Sequence, residues 1–286
     1  MAVIGLVLHQ DKPDAARHAL GAAAWLEAGG HEVRIPDTDA GRDGLSGWSV
    51  PSASFSAGLD LAVSLGGDGT MLRAVRLVAP HAVPVLGVNL GQLGYLTEVE
   101  PGGLHGALEA FLAGEHAIEE RMLLEVDAFD DAGHAVVAPA IALNEVVLEK
   151  TASGHTVRLG VTISGEAFTT YVADGLIFAT PTGSTAYAFS ARGPIVDPTL
   201  RAMLVTPVSP HMLFDRTLVL SDDAVVTCLV EGPRPAALAI DGQEIGELTA
   251  GTELRCSAAA HPARLVLLRP REFHRILKAK FGLSDR

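Results

Sequence analysis

The sequence predicts an α/β N-terminal domain followed by an all-β, β-sandwich C-terminal domain. Two observations carry this reading. Short apolar runs alternate with helical patterns over the first hundred residues. From about Ala117 to Leu268, short β-branched runs are separated by turn residues. Alternating strands and helices imply a parallel sheet covered by helices, whereas many short strands with regular punctuation imply packed antiparallel sheets. We place the domains at 1–115 and 116–270, with a helical tail, 271–286, returning to the first domain. A chain of 286 residues with 48% hydrophobic residues can bury two cores of this size.

The elements follow in order. Val3–Leu8 is an apolar strand. Asp14–Ala28 carries Ala16, Leu20, Ala23, Ala24 and Trp25 at helical spacing and stops at Gly29-Gly30. His31–Ile35 is a second strand. Asp37–Gly58, rich in Gly, Ser, Asp and Pro, reads as a mobile surface loop. Leu61–Leu65 is a third strand, entering a glycine run, and Met71–Val78 is helical beyond it. Val83–Val88 is a fourth strand, leading into Asn89–Tyr95, and Gly102–Ala113 is helical. Ligands in open α/β sheets bind outside the carboxyl ends of strands, where both of these glycine-bearing segments fall. Turn sequences such as Asp130-Asp131-Ala132-Gly133 and Ser164-Gly165-Glu166 then punctuate the strand-rich half, and Arg271–Lys280 is helical.

The formal net charge is -13, which sets nucleic acid and anionic membranes aside as expected partners. The apolar run Ala135–Leu143 contains Pro139 and is too short to span a bilayer. Met1–Leu8 lacks a basic leader and reads as a buried strand, so the expected compartment is the cytoplasm. Cys228 and Cys256 lack metal-ligand spacing and are expected to be buried free thiols.

Four motifs carry chemistry. In Leu61–Thr70 a buried strand delivers Gly66, Gly67, Asp68, Gly69 and Thr70 to the start of a helix. Glycines admit close backbone approach, and a helix N-terminus offers N–H groups to an anion. A carboxylate among phosphates is unfavourable unless it accepts a proton from a hydroxyl or holds a metal ion. The plainer reading is a tight turn with an exposed cap. Asp174–Tyr187 runs from an apolar strand into small hydroxylated residues, suited to a flat polar ligand. Asn144-Glu145 lies inside an apolar run, where polar groups need partners unless they stand at a strand end in solvent. The fourth is Thr206-Pro207-Val208-Ser209-Pro210-His211, followed by Leu213 and Arg216.

Together these motifs resemble those of the NAD kinases, specifically the bacterial members, nearly end to end. Gly66–Thr70 looks like the family's GGDGT motif, Asn144-Glu145 matches its paired polar motif, and Asp174–Tyr187 resembles its long signature. GGDGT alone also occurs in phosphofructokinases and in diacylglycerol and sphingosine kinases; the four in this order are specific. The resemblance implies a two-domain enzyme, with its site between the domains, that phosphorylates the 2′-hydroxyl of the adenosine ribose of NAD. It implies Asp68 as the base, with Gly67, Gly69 and Thr70 along the phosphate path. It also implies Asn144 and Glu145 on the adenosine portion, and Thr182, Thr185, Ala186, Tyr187 and Ser190 around adenine. Asp174 would sit near the nicotinamide end, and Tyr95 would form a wall for a base. ATP or polyphosphate would be the donor, with Mg²⁺ on its phosphates and no dedicated protein metal cage. A homodimer or homotetramer is expected. The chain departs from the family pattern at Val172, where many members are basic, at Arg192, where many carry glycine, and at Leu96, where an aromatic is frequent.

Other functions fit less well. A dinucleotide oxidoreductase needs G-x-G-x-x-G after the first strand, where Leu8-His9-Gln10-Asp11 stands. No P-loop string, H-E-x-x-H or G-x-S-x-G occurs. A lipid kinase of the GGDGT type and a non-catalytic dinucleotide-binding protein are the remaining alternatives.

Overall fold

The computed structural model describes residues 1–41, 44–91 and 94–283. It divides into two compact units, Met1–Glu120 with Ala263–Arg286, and Arg121–Pro262.

The first unit contains β1 (Val3–Leu8), α1 (Pro13–Ala28), β2 (Glu32–Pro36), α2 (Asp37–Ala40), β3 (Ser49–Val50), β4 (Leu61–Gly66), α3 (Asp68–Val78), β5 (Val85–Asn89), α4 (Leu104–Leu112) and β6 (Ala117–Arg121). The second unit is strand-rich, with β7 (Leu124–Phe129), β8 (Ala135–Ala142), β9 (Glu145–Lys150), β10 (Val157–Ile163), β11 (Glu166–Ala173) and β12 (Gly175–Ala179). After α5 (Tyr187–Ser190) it continues through β13 (Ala202–Val208), β14 (Leu218–Ser221), β15 (Val226–Glu231), β16 (Ala236–Ile240), β17 (Gln243–Leu248) and β18 (Glu253–Ala258). The chain ends with β19 (Ala263–Leu267) and α6 (Phe273–Phe281), both in the first unit.

The first unit's sheet has the order β3-β2-β1-β4-β5-β19-β6. β1 pairs in parallel with β2 and with β4, and β4 in parallel with β5. After β1 the chain therefore moves out one way to β2 and β3, then returns to add β4 on the other side of β1. That reversal opens a crevice at the carboxyl ends of β1 and β4, the usual place for a ligand in such a sheet. Leu6, Leu8, Val63 and Leu65 are fully buried, and one core cluster joins them to Ala15, Ala19, Ala22 and Leu26 of α1. Alanines on that helix face allow close approach to the sheet, which explains why a helix with so few large side chains packs there.

Four expectations change here. The segment 37–58 is not an open loop among its described residues: Ile35 and Pro36 pair with Ser49 and Val50, and Leu45 and Phe55 are fully buried. Its residues 42 and 43 lie outside the described residues. α3 begins at Asp68, not Met71, so the carboxylate occupies the helix's first turn. β19 pairs in parallel with β5, through Leu265 and Val85, and so leaves the strand-rich half for the first unit. The C-terminal helix spans Phe273–Phe281, and residues 284–286 lie outside the described residues.

The second unit contains two six-stranded sheets, β11-β10-β15-β18-β7-β8 and β14-β13-β12-β9-β16-β17. Neighbours such as β9 and β12, or β10 and β15, run antiparallel. Leu124, Val126 and Leu159 of the first sheet share a buried cluster with Leu148, Phe178 and Leu238 of the second. The unit is not wholly β: the 3-10 turn Thr182–Thr185 and α5 lie on it, Ala188 joining Val147, Ile177 and Leu204 in a second buried cluster. Cys228 and Cys256 are buried free thiols, and burial pushes both thiol pKa values up. Among the described residues, no helix is long and apolar enough to cross a membrane.

Candidate active site

The switch-point crevice of the first unit holds a cavity of about 280 Å³ lined by Leu8–Lys12, Gly67, Gly69, Thr70 and Arg73. Strand β4 delivers Gly66 into it, and a Cβ on Gly66 would stand 2.1 Å from Thr70 Oγ1, so only glycine lets the strand turn so tightly. Gly67 caps α3 without a side-chain hydrogen bond, and the helix's first bond runs from Met71 N to Gly67 O. The amides of Gly69 and Thr70 therefore belong to the open, partially positive end of the helix.

Two cations flank this end. Arg73 donates from Nη1 and Nη2 to the two carboxylate oxygens of Asp39, each at 2.7 Å, and also bonds Leu8 O. Asp39 in turn accepts from Leu8 N at 2.8 Å, and its side chain is buried. The fork thus locks the end of β1 to α3. Lys12 Nζ donates to Leu90 O at 3.0 Å, at the mouth of the same crevice. Motif reading missed Arg73, Asp39 and Lys12, although Arg73 lies on the helix that Asp68 begins.

Asp68 is half-buried. Tyr95 N donates to its Oδ2 at 2.8 Å and Leu96 N to its Oδ1 at 3.0 Å, so the carboxylate's orientation is set by backbone. A Cβ on Gly94 would lie 2.2 Å from Asp68 Oδ1, which requires glycine at that close approach. The Tyr95 ring carries Lys280 Nζ at 5.0 Å from its centroid. Burial, then the Asp68 charge, raises its phenol pKa. Gln92 and Leu93 of the preceding segment lie outside the described residues. Among the described residues, no group of three or more His, Cys, Asp or Glu is arranged to hold a metal ion.

The second unit gathers most of its predicted residues at one end of β9, β12 and β16. Asn144 and Glu145 form the turn into β9, neither mid-strand nor fully in solvent, and Glu145 is only 6% exposed. Their partner is Asp241, whose carboxylate accepts from Leu143 N, Asn144 N and Glu145 N at 2.9, 2.7 and 3.1 Å. Thr180 ties the signature turn to the same place: its N donates to Asn144 O at 2.9 Å and its Oγ1 to Leu143 O at 2.6 Å. Thr182 is buried and accepts from Arg121 Nη1 at 3.2 Å, while Thr185 Oγ1 donates to Thr182 O at 3.4 Å. Ala186 precedes α5, which presents Tyr187 and the exposed Ser190.

Asp174 stands at the other end of β12, ion-paired with Lys150 at 2.6 Å. Lys150 supplies the positive neighbour that Val172 does not. Tyr187 spans the two ends: its hydroxyl bonds Glu149, next to Lys150, while Glu145 receives the Tyr187 backbone N–H. Burial first, then the bond to Glu149, pushes the Tyr187 phenol up to about 12. The fourth motif closes beside Asp174, with Asp174 N on Val208 O at 3.0 Å and His211 N on Val172 O at 2.7 Å. Arg192 is exposed and left-handed (φ 66°), the conformation glycine adopts freely.

Comparison with known proteins adds identity to this geometry. Residues 49–116 match the family described as the ATP-NAD kinase N-terminal domain, and residues 143–268 the ATP-NAD kinase C-terminal domain. The NAD kinase of Heliobacterium modesticaldum is 43% identical over 282 residues, covering 98% of each chain. The chain belongs to the NAD kinase family. The NAD kinase of Symbiobacterium thermophilum is 39% identical over 283 residues, 99% of each chain. A crystal structure of yeast NADH kinase complexed with NADH shares the fold at TM-score 0.88 and 24% identity, covering 100% of this chain and 89% of that one. In this member of the NAD kinase family, the GGDGT motif sits at the switch-point crevice and the other three motifs sit on the strand-rich unit.

Glu145 gives a pH prediction. Burial, then the Asp241 carboxylate, pushes its pKa up from 4.5 to about 7, against the Tyr187 N–H. A folded-state pKa above the unfolded one means that the protonated carboxyl's contribution is complete below pH 4.5. It is lost as the pH rises to about 7. Denaturant titrations should show stability falling across that window by about 3 kcal/mol, and Glu145→Gln should flatten the slope. An unchanged slope in the variant removes Glu145 as its source.

Proposed function

We propose that this chain phosphorylates NAD, transferring a terminal phosphoryl group to the 2′-hydroxyl of the adenosine ribose to give NADP. The observation that carries the reading is Asp68. A carboxylate in the first turn of α3, aimed by two backbone amides, stands between Gly67 and Gly69, which line a cavity together with Lys12, Arg73 and Asp11. Its role is to accept the hydroxyl proton as the phosphoryl group transfers. Gly67, Gly69 and Thr70 offer backbone and hydroxyl donors to the phosphates, with Arg73 and Lys12 as flanking cations. Positioning and electrostatics supply most of the acceleration in such transfers.

The donor is a phosphoanhydride chain, ATP or polyphosphate. Mg²⁺ fits this donor set, since it is commonly held by one or two carboxylates plus substrate phosphates, and Asp68 is the carboxylate at hand. When bound, it neutralises charge on the donor. On the second unit, Asn144 and Glu145 bind the adenosine portion, and Thr182, Thr185, Ala186, Tyr187 and Ser190 surround adenine. Asp174 serves the nicotinamide end, and Tyr95 forms a wall for a base. The shared core of two antiparallel sheets supports a β-sandwich for that unit, and its open edge strands β8, β11, β14 and β17 support a homodimer or homotetramer. The -13 charge favours this reading over a lipid kinase and accords with a cytoplasmic protein.

Incubation with NAD and ATP·Mg should yield NADP, and 2′-deoxy-NAD should incorporate no phosphate. Replacing ATP by polyphosphate separates the two donors. EDTA should abolish the activity and Mg²⁺ restore it. Equal phosphorylation of NAD and 2′-deoxy-NAD would refute the acceptor atom.

A further inference from the structure

Asp68 owes its orientation to the short strap 94–98, and that strap is pinned from two sides. On one side is β5: Glu98 N and Val99 N donate to Gly87 O at 3.1 Å, and Asn89 N donates to Val99 O at 2.8 Å. On the other side is the C-terminal stretch after β19. Arg269 N donates to Glu98 Oε1 at 3.1 Å. Arg271 Nη2 donates to Leu96 O at 3.2 Å, and its Nη1 donates to Glu119 Oε1 at 3.3 Å. Leu96 is therefore held at both ends of its own backbone: its C=O by Arg271 and its N–H by Asp68.

We propose that Arg271 is a positioning residue for the Asp68 carboxylate, acting through the Leu96 backbone. The inference rests on the reading of Asp68 as the proton acceptor. A simple ion pair with Glu119 would need only one edge of the guanidinium. Here the second edge is spent on the carbonyl of the residue that orients Asp68, and the Arg271 side chain is only 8% exposed. A planar fork can fix two partners at once, whereas a lysine ammonium is a point charge on a flexible stem. The strap lies close against the carboxylate, since a Cβ on Gly94 would stand 2.2 Å from Asp68 Oδ1 and 2.7 Å from Thr97 Oγ1. Loss of the guanidinium frees Leu96 to move, and the carboxylate moves with it. This also gives the return of β19 to the first unit a consequence for chemistry, since it delivers Arg271 to the back of the strap.

The test is steady-state kinetics on the full chain for Arg271→Ala and Arg271→Lys, each alone and combined with Asp68→Asn. Misplacement of a reacting group by about 1 Å costs on the order of 10²-fold. Arg271→Ala should lower kcat by about 10- to 100-fold with the KM for NAD changed by less than about twofold. Arg271→Lys should fall between Ala and the parent, and it carries the test if the Ala variant does not fold. In the Asp68→Asn background neither change should lower kcat further, because no base is left to position. Equal losses in both backgrounds overturn the proposal while leaving Asp68 as the base. A lowered melting temperature with kcat unchanged also overturns it. A fully active Asp68→Asn enzyme instead refutes the role of Asp68 itself, whatever Arg271 does.

Discussion

Asp68→Asn should lower kcat by about 10² to 10⁴, the usual worth of general-base assistance, with the KM for NAD changed far less. The substitution keeps the size of the side chain and removes its charge and basicity. One cost is local and calculable. The two carboxylate oxygens each accept an amide N–H, so the new NH₂ must face one of them. Loss of that hydrogen bond to a charged group costs about 1.5–3 kcal/mol in stability, too little by itself to unfold a typical domain. A second role for Asp68, holding Mg²⁺ on the donor, makes a different forecast: raised Mg²⁺ would restore much of the lost rate. Comparing the variant at low and saturating Mg²⁺ separates the two. Full activity of Asp68→Asn would refute both and leave the crevice an anion site without a base.

What could be read in the sequence follows from how far apart the interacting residues are. Val3–Leu8 stands as β1 with the same bounds, because a short apolar run between polar residues is a local signal. The start of α3 was hidden because Gly67 at its cap and Gly69 in its first turn lower helix propensity around Asp68. The stretch after Pro36 reads as open chain from its Gly, Ser and Asp content. Its structure depends on Leu45 and Phe55, two residues too widely spaced to make a pattern.

Long-range partners were invisible for the same reason. Asp241 lies 97 residues from Asn144; Asp241-Gly242 is a local hairpin signal, but nothing local says which distant amides its carboxylate accepts from. Arg271 and Leu96 are separated by 175 residues. β19 resembles the strands before it, and only pairing with β5 shows which unit it serves. Motifs thus named the groups proposed to meet ligand, while the residues holding them in place emerged from geometry.

Gly183→Ala should weaken NAD binding by about 10- to 10²-fold, with one added methyl group. A Cβ at Gly183 would stand 2.1 Å from Asn144 O and 2.5 Å from its carbonyl carbon, where no real contact is tolerated. The obstructing atoms are backbone, and that backbone cannot yield. Asp241 holds Leu143, Asn144 and Glu145 by three amides, and Thr180 N holds Asn144 O. The turn Thr182–Thr185 must therefore move instead, carrying Thr182, Thr185 and Tyr187 away from Asn144 and Glu145. Overpacking of this kind costs about 1–3 kcal/mol in stability, and losing the hydrogen bonds of one charged group to the ligand costs about 1.5–3 kcal/mol, on the order of 10- to 10²-fold in affinity. Gly21→Ala is the matched control. That glycine lies in α1 with nothing within 4 Å of its added Cβ, so the change should raise stability by up to about 1 kcal/mol and leave NAD affinity alone. Calorimetric titration of NAD into both variants decides the matter. If Gly183→Ala binds NAD as tightly as Gly21→Ala does, the adenosine portion does not rest on the junction of these two turns, and the assignment of Asn144, Glu145 and the Thr182–Tyr187 segment falls with it.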